Sequence, residues 1–301
     1  MSLLVTGTVG IDTVTTPYGH VEDVLGGTAV YFAFAACQYV PVRLVAVVGD
    51  DFPEDFHRVL ESRDIDLTGL EVRPGSKTFR WTGRFVGDMN VAETVDLQLN
   101  VLAEQPPSVP AAFADSDTIF LGGTDPALQR ELLGHVRSPK LVVCDTKEHW
   151  IVDQRDSLLK TLRMVAGAII NDGEARLLTE RVNLIEAGEA ILDMGLEFVI
   201  IKKGEHGALL VTHNGPAAVP AYPTKAVRDP TGAGDSFGGG VLGYLAREGK
   251  HDTETLRRAM VHGTVAASFT IEDFSLRKMQ DLTRSEVNQR VDQFISMLRF
   301  D

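Results

Sequence analysis

Seven short runs in this sequence are almost wholly apolar: Leu3 to Gly7, Val42 to Val48, Thr118 to Leu121, Leu141 to Cys144, Ala168 to Ile170, Phe198 to Ile201 and Ala208 to Val211. A strand with one wet face alternates polar and apolar residues, so runs without alternation predict strands buried on both faces. Between most of them lie helical patterns at Thr28 to Gln38, Pro126 to Val136, Gln154 to Met164, Glu174 to Thr179 and Asn183 to Met194. Strands separated by helices are joined by parallel crossovers. The chain therefore reads as an α/β protein, with a mostly parallel sheet covered on both faces.

Two stretches break the rhythm. Val21 to Val24, before Gly26-Gly27, and Thr78 to Leu99, with Phe79, Trp81 and Phe85 in alternation, read as extended chain without helices of its own. They predict a small sheet projecting from the core, built from about residues 12–26 and 78–100 and placed to act as a lid. The plainer alternative is an edge hairpin of the main sheet. Beyond Gly232 the sequence turns helical, at Gly234 to Glu248, Thr253 to Thr270 and Arg284 to Arg299. The proline-rich Leu102 to Pro110 is too short to separate independent domains, so residues 1–301 are expected to form one.

The formal charge of -13 disfavours contact with phosphate backbones and anionic lipid, so neither nucleic acid nor membrane is an expected partner. No apolar run approaches a membrane span, and the start lacks the pattern of a secretory leader. Cys37 and Cys144 sit in apolar runs at no metal or disulfide spacing and read as core residues. The expected location is the cytoplasm. None of the eight histidines pairs with a Cys, Asp or Glu at metal spacing, so His206 and His262 read as surface or packing residues.

The chemistry concentrates in Asp229-Pro230-Thr231-Gly232-Ala233-Gly234-Asp235-Ser236-Phe237-Gly238-Gly239-Gly240. Gly232, Ala233 and Gly234 allow a tight turn with bare N–H groups at the start of a helix, which is an anion hole. Such donors stabilise the charge that a transferring phosphoryl group gathers on its oxygens. Asp235 at the mouth of the hole is placed to accept the proton of an attacking hydroxyl. A lone Gly-Asp pair would more often be a helix cap.

The full run resembles the second signature of the ribokinase-like PfkB carbohydrate kinases, and with that anchor the resemblance extends over nearly the whole chain. It implies a three-layer sandwich with a β-sheet lid, ATP and Mg2+ as cosubstrate and cofactor, and phosphorylation of a hydroxyl on a sugar or sugar-like molecule. Asp12, after the first strand, matches the family's sugar-anchoring Asp, and a carboxylate suits two vicinal hydroxyls. Gly26-Gly27 falls at the first signature near the sugar, but Tyr31 stands where the family carries Asn, which implies a different or larger acceptor. Asn171 and Glu174 resemble the Asn-x-x-Glu element that orders the water shell of Mg2+ on nucleotide phosphates; the same pair reads as a capping box. Lys202, Gly204 and Gly207 resemble the nucleotide turn, with Asn171 also beside the nucleotide. Asp229 and Thr231 lie where the family can hold a monovalent cation such as K+. Asp145 is a lesser candidate near substrate or phosphates, and Val48-Gly49-Asp50-Asp51 reads as structural.

There is no P-loop sequence and no dinucleotide fingerprint after the first strand. The alternatives to a sugar kinase are a nucleoside kinase of the same fold, with Tyr31 stacking on a base, and a sensor that kept the fold without the chemistry. Phe79, Trp81 and Phe85 on the lid suit either substrate cover or a homodimer interface.

Overall fold

The computed structural model describes residues 2–299, so Met1, Phe300 and Asp301 of the expected single domain lie outside the described residues. The chain opens with β1 (Leu3–Thr6), β2 (Gly10–Thr16), β3 (Gly19–Gly26), α1 (Thr28–Ala36), β4 (Val42–Gly49), α2 (Glu54–Glu61), β5 (Ile65–Arg73), β6 (Phe79–Phe85) and β7 (Ala92–Gln98). It continues with β8 (Thr118–Leu121), α3 (Pro126–Gly134), β9 (Leu141–Cys144), α4 (Glu148–Asp153), α5 (Arg155–Leu162), β10 (Gly167–Asn171), α6 (Asp172–Thr179) and α7 (Leu184–Leu192). It ends with β11 (Phe198–Lys202), β12 (Ala208–Thr212), β13 (Gly215–Val219), α8 (Ala233–Glu248), α9 (Thr253–Thr270), α10 (Arg277–Gln280) and α11 (Arg284–Met297).

The apolar runs form a nine-stranded sheet in the order β13-β12-β11-β10-β9-β8-β1-β4-β5. It is parallel from β11 to β5, and β12 and β13 close one edge antiparallel. Because side chains alternate across a strand, neighbouring residues feed two different cores. Leu3, Val5, Phe120, Val143, Ile169 and Ile200 pack with α1, α8, α9 and α11. Leu4, Ile119, Val142, Ala168 and Val199 pack with α3, α5, α6 and α7. That is the expected three-layer sandwich.

On the first face the helices approach backbone to backbone. Every residue of α1 from Ala29 to Ala36 is buried, because the sheet and α8 cover it from both sides. A Cβ on Gly239 of α8 would stand 2.2 Å from the carbonyl oxygen of Phe32, and one on Gly263 of α9 would stand 2.7 Å from that of Phe237. The glycines after Asp235 thus serve packing as well as the turn.

The extended stretches form a separate four-stranded sheet, β3-β2-β6-β7, and not an edge hairpin of the main one. Its inner face closes on the body through Val14, Phe85, Met89 and Phe274. Asp12 lies inside β2, paired with Val24 and Trp81. The sequence reading missed β5, β13, α2, α4 and α10.

Candidate active site

The parallel strands end at one edge, where the turn before α8 meets them, the general location of ligand sites in open α/β sheets. Gly232 is the N-cap of α8 with φ 73, a left-handed conformation that favours glycine. The Tyr31 ring packs on its bare Cα, since a Cβ there would stand 2.2 Å from Tyr31 Cγ. Asp229 Oδ1 accepts from the Thr231 N–H at 2.9 Å, which shapes the turn. The Ala233 N–H donates back to the Pro230 carbonyl at 3.1 Å. This corrects the expectation that Ala233 shares in the anion hole. The N–H groups of Gly232 and Gly234 have no acceptor among the described residues and stay open for an anion.

Asp235 stands in the first turn of α8, half-buried. Burial raises its pKa to about 6 against the pull of the Lys147 and Lys202 ammonium groups, while Asp145 adds to the rise. Lys202 ends β11 and reaches the hole: its Nζ would stand 3.3 Å from a Cβ on Gly234, and it pairs with the buried Asp145 at 3.4 Å. Register sets Lys202 beside Asn171, at the ends of β11 and β10.

Lys147 went unread in the sequence. It follows β9 by three residues, and its stem lies against Gly123, whose added Cβ would meet Lys147 Cε at 2.9 Å. Burial alone would lower its pKa, yet Asp235, Asp145 and Glu174 together raise it. Gln129, also unread, is buried in α3 and donates to the carbonyls of Gly122 at 2.8 Å and Asp145 at 3.1 Å, tying the β8 and β9 loops together. A lysine or glutamine outside a glycine-rich run carries no signal in one sequence.

On the acceptor side, Asp12 is 3 % exposed and its carboxylate fills the space over Gly26, where a Cβ would stand 1.9 Å from Oδ2. Burial, then the Asp229 and Asp235 carboxylates, push its pKa to about 7, with the Gly27 N–H opposing. Gly27, at φ 106, lets α1 begin against the Thr8 carbonyl. Tyr31 is 2 % exposed, so its ring offers no face for a base, contrary to the stacking expectation. Its hydroxyl is buried without a hydrogen-bond partner, and burial followed by Asp12, Asp229 and Asp235 raises its pKa.

Asn171 and Glu174 form a reciprocal capping box: Asn171 Oδ1 accepts from the Glu174 N–H at 2.7 Å, and Glu174 Oε2 accepts from the Asn171 N–H at 2.8 Å. The box leaves Glu174 Oε1 and the Asn171 amide nitrogen for other work. Burial, then Asp145, raise the Glu174 pKa to about 7, against Lys202 and Lys147. In the turn from β11 to β12, Gly204 (φ 54) and Gly207 (φ 81) are left-handed. The atoms close to them belong to the protein: the Val219 carbonyl oxygen would lie 2.1 Å from a Cβ on Gly207, and Asn90 Oδ1 of the lid 2.8 Å from one on Gly204. On the side where a Cβ would point, these two glycines are therefore covered by β13 and the lid. Asn90 also donates to Glu205 at 3.1 Å, so the lid tip touches this turn.

Asp229 is 1 % exposed, its pKa raised by burial and held back by Thr231 and Ser275; Thr231 Oγ1 is buried without a partner. Asp50 and Asp51 accept from the N–H groups of Gly75 and Thr78, a structural role. His262 packs against Tyr244 at 4.2 Å, and His206 is exposed. No cluster of three or more His, Cys, Asp or Glu suited to a metal ion occurs among the described residues.

Comparison with known proteins agrees with the fold. The sequence pattern described as pfkB family carbohydrate kinase matches residues 3–281. A cytidine kinase of Thermococcus kodakarensis is 29% identical over 252 residues, covering 82% of this chain and 89% of that protein. The crystal structure of a Methanocaldococcus jannaschii nucleoside kinase, an archaeal member of the ribokinase family, superposes with a TM-score of 0.76 at 20% identity, covering 97% of this chain and 98% of that one. A putative ribokinase II from E. coli in complex with ATP and Mg2+ superposes with a TM-score of 0.75 at 17% identity, covering 97% and 99%.

Proposed function

This chain belongs to the pfkB family of carbohydrate kinases, and on that premise we propose that Asp235 is the base of an ATP-dependent transfer to a hydroxyl of a sugar or sugar-like molecule. The observation that carries the proposal is the open pair of N–H groups at Gly232 and Gly234 beside a carboxylate whose pKa stands near 6. Near neutral pH Asp235 is ionised and accepts the hydroxyl proton. The acceptor oxygen bonds to the γ-phosphorus as the bond to the β-phosphate oxygen breaks, ADP leaves with that electron pair, and the N–H pair holds the transferred oxygens.

Asp12 orients the acceptor, with Gly26 and Gly27 giving it room and Tyr31 supporting the turn from below. Lys202 and Asn171 face the nucleotide phosphates. Mg2+ would be held here through its own water shell, with Glu174 Oε1, the carboxylate oxygen that the capping box leaves free, placed to accept from one of those waters. When bound, it neutralises phosphate charge. Asp229 and the unpartnered Thr231 Oγ1 are oxygen donors of the kind K+ takes, and replacing K+ by a large organic cation in the assay tests that role.

A nucleoside acceptor is a second reading, favoured by the similarity to a cytidine kinase. Turnover of ATP on ribose, fructose, adenosine and cytidine separates the readings: sugars alone support the first, nucleosides alone the second, and no ATP use on a wider panel of hydroxyl acceptors contradicts both. The retained base, N–H pair and lysines support an enzyme over a sensor. Both cysteines are free thiols, which suits the reducing, ATP-supplied cytoplasm. No helix among the described residues is long and apolar enough to cross a membrane. Homodimerisation through the lid is supported by the exposed Val91, Val95, Leu97 and Leu99 on and beside its edge strand β7.

A further inference from the structure

The loop between α9 and α10 holds a buried serine in a conformation that serine disfavours. Ser275 is 8 % exposed and its backbone is left-handed at φ 54, which favours glycine because an L side chain there crowds its own backbone. Glycine would keep the N–H of this position, which donates to Asp229 Oδ2 at 3.4 Å, and would remove the strain. What glycine lacks is the hydroxyl, which donates to the Leu25 carbonyl at 2.6 Å. Leu25 precedes Gly26 at the end of β3, beneath the Asp12 carboxylate, and Asp229 shapes the turn of the anion hole. The flanking residues grip the same two partners. Phe274 packs into the lid cluster with Val14 and Phe85, and the Ile271 carbonyl accepts from the N–H groups of Arg228 at 2.8 Å and Asp229 at 3.4 Å. β3 is an edge strand with a partner on one side only, so contacts from the body fix where its end sits.

We propose that Ser275 is a positioning residue for phosphoryl transfer: it ties the strand end beneath the acceptor's anchor to the turn that holds the phosphoryl group, and so sets the distance between them. The inference rests on the kinase reading above and adds to it the joint between its two halves. The acceptor is presented from the small sheet and the phosphoryl group from the main one, and in-line transfer proceeds only when the acceptor oxygen and the γ-phosphorus are brought to near-attack distance. A misplacement of about an ångström costs up to about a hundredfold in rate. Ser275 touches neither reactant and exchanges no proton; its hydroxyl keeps its hydrogen bond to Leu25 while the acceptor proton goes to Asp235. Backbone strain at a buried residue persists where the surroundings over-determine it, and here two hydrogen bonds to opposite sides of the site do so.

The test measures kcat and the KM for ATP with the best acceptor, and the thermal midpoint, for wild type, Ser275→Gly and Ser275→Ala in high K+. Both variants lose the hydroxyl, but only Ser275→Gly is relieved of the left-handed strain, so it is expected to melt above Ser275→Ala. Both are nevertheless expected to lose about tenfold to a hundredfold in kcat, with the KM for ATP within about twofold of wild type. Activity then follows the hydroxyl while stability follows the backbone. Near-normal kcat in Ser275→Gly, a loss of kcat that follows the midpoints, or a KM for ATP that rises as kcat falls would each overturn the proposal. So would recovery of kcat when K+ is raised further, which would assign the effect to the cation. Wild type using no ATP on any acceptor would instead overturn the kinase reading itself, and this inference with it.

Discussion

Asp235 joins two opposing influences: burial favours its protonated form, and Lys147 and Lys202 favour the carboxylate. A base must be ionised to accept a proton, so kcat/KM should be present above the Asp235 pKa and lost as pH falls through about 6. Asp145 faces the same carboxylate, Asp12 titrates against it from β2, and the Tyr31 phenol below the turn stays neutral throughout. A pH profile on the best acceptor checks this; a flat profile between pH 5 and 8 would exclude Asp235 as the titrating base. Gly26 gives a second outcome at this scale. Its Cα is the floor beneath the Asp12 carboxylate, so Gly26→Ala should push that carboxylate aside and raise the acceptor KM by about tenfold, with the KM for ATP little changed. Equal effects on both would show that Asp12 does not orient the acceptor.

Among the elements, α8 has two jobs, and its glycines divide between them. Gly232 and Gly234 shape the hole, whereas Gly239 and Gly243 let α1 and α8 touch backbone to backbone. Gly239→Ala should therefore destabilise by about 1–3 kcal/mol through overpacking, read as a lower thermal midpoint, because the obstacle is the Phe32 carbonyl and not a movable side chain. An unchanged midpoint would mean that α1 moves away freely. The same division explains what the sequence disclosed. Strands buried on both faces, such as β9 and β11, are legible as apolar runs, while β5 and β13 at the sheet's two edges bury only some of their residues and give no run. Asp12, Asp235, Asn171 and Glu174 stand in patterned segments and could be read; Lys147 and Gln129 acquire their surroundings only when β8 and β9 are laid side by side. Tyr31 was legible as a departure from the family pattern, but its burial under Gly232 was not, because nothing local tells a helix's first turn which loop will cover it.

Taken whole, the molecule is a sandwich with a second, smaller sheet whose tip meets the turn from β11 to β12 through Asn90 and Glu205. The outer strand of that sheet leaves Val95 and Leu97 more than half exposed, so sedimentation velocity at micromolar concentration is expected to show a dimer that Leu97→Lys converts to monomer. A wild-type monomer under those conditions would remove the lid interface. The central claim draws on every region at once: a phosphoryl group held at the turn before α8, an acceptor presented by the lid strand, and a carboxylate between them. The most direct test is the rate of ADP formation from Mg-ATP with the best acceptor, wild type against Asp235→Asn, with nucleotide binding measured on both. The expected result is a loss of about a hundredfold or more in kcat with ATP binding retained. Near-normal turnover by Asp235→Asn would contradict the account, since the proton would then be going elsewhere.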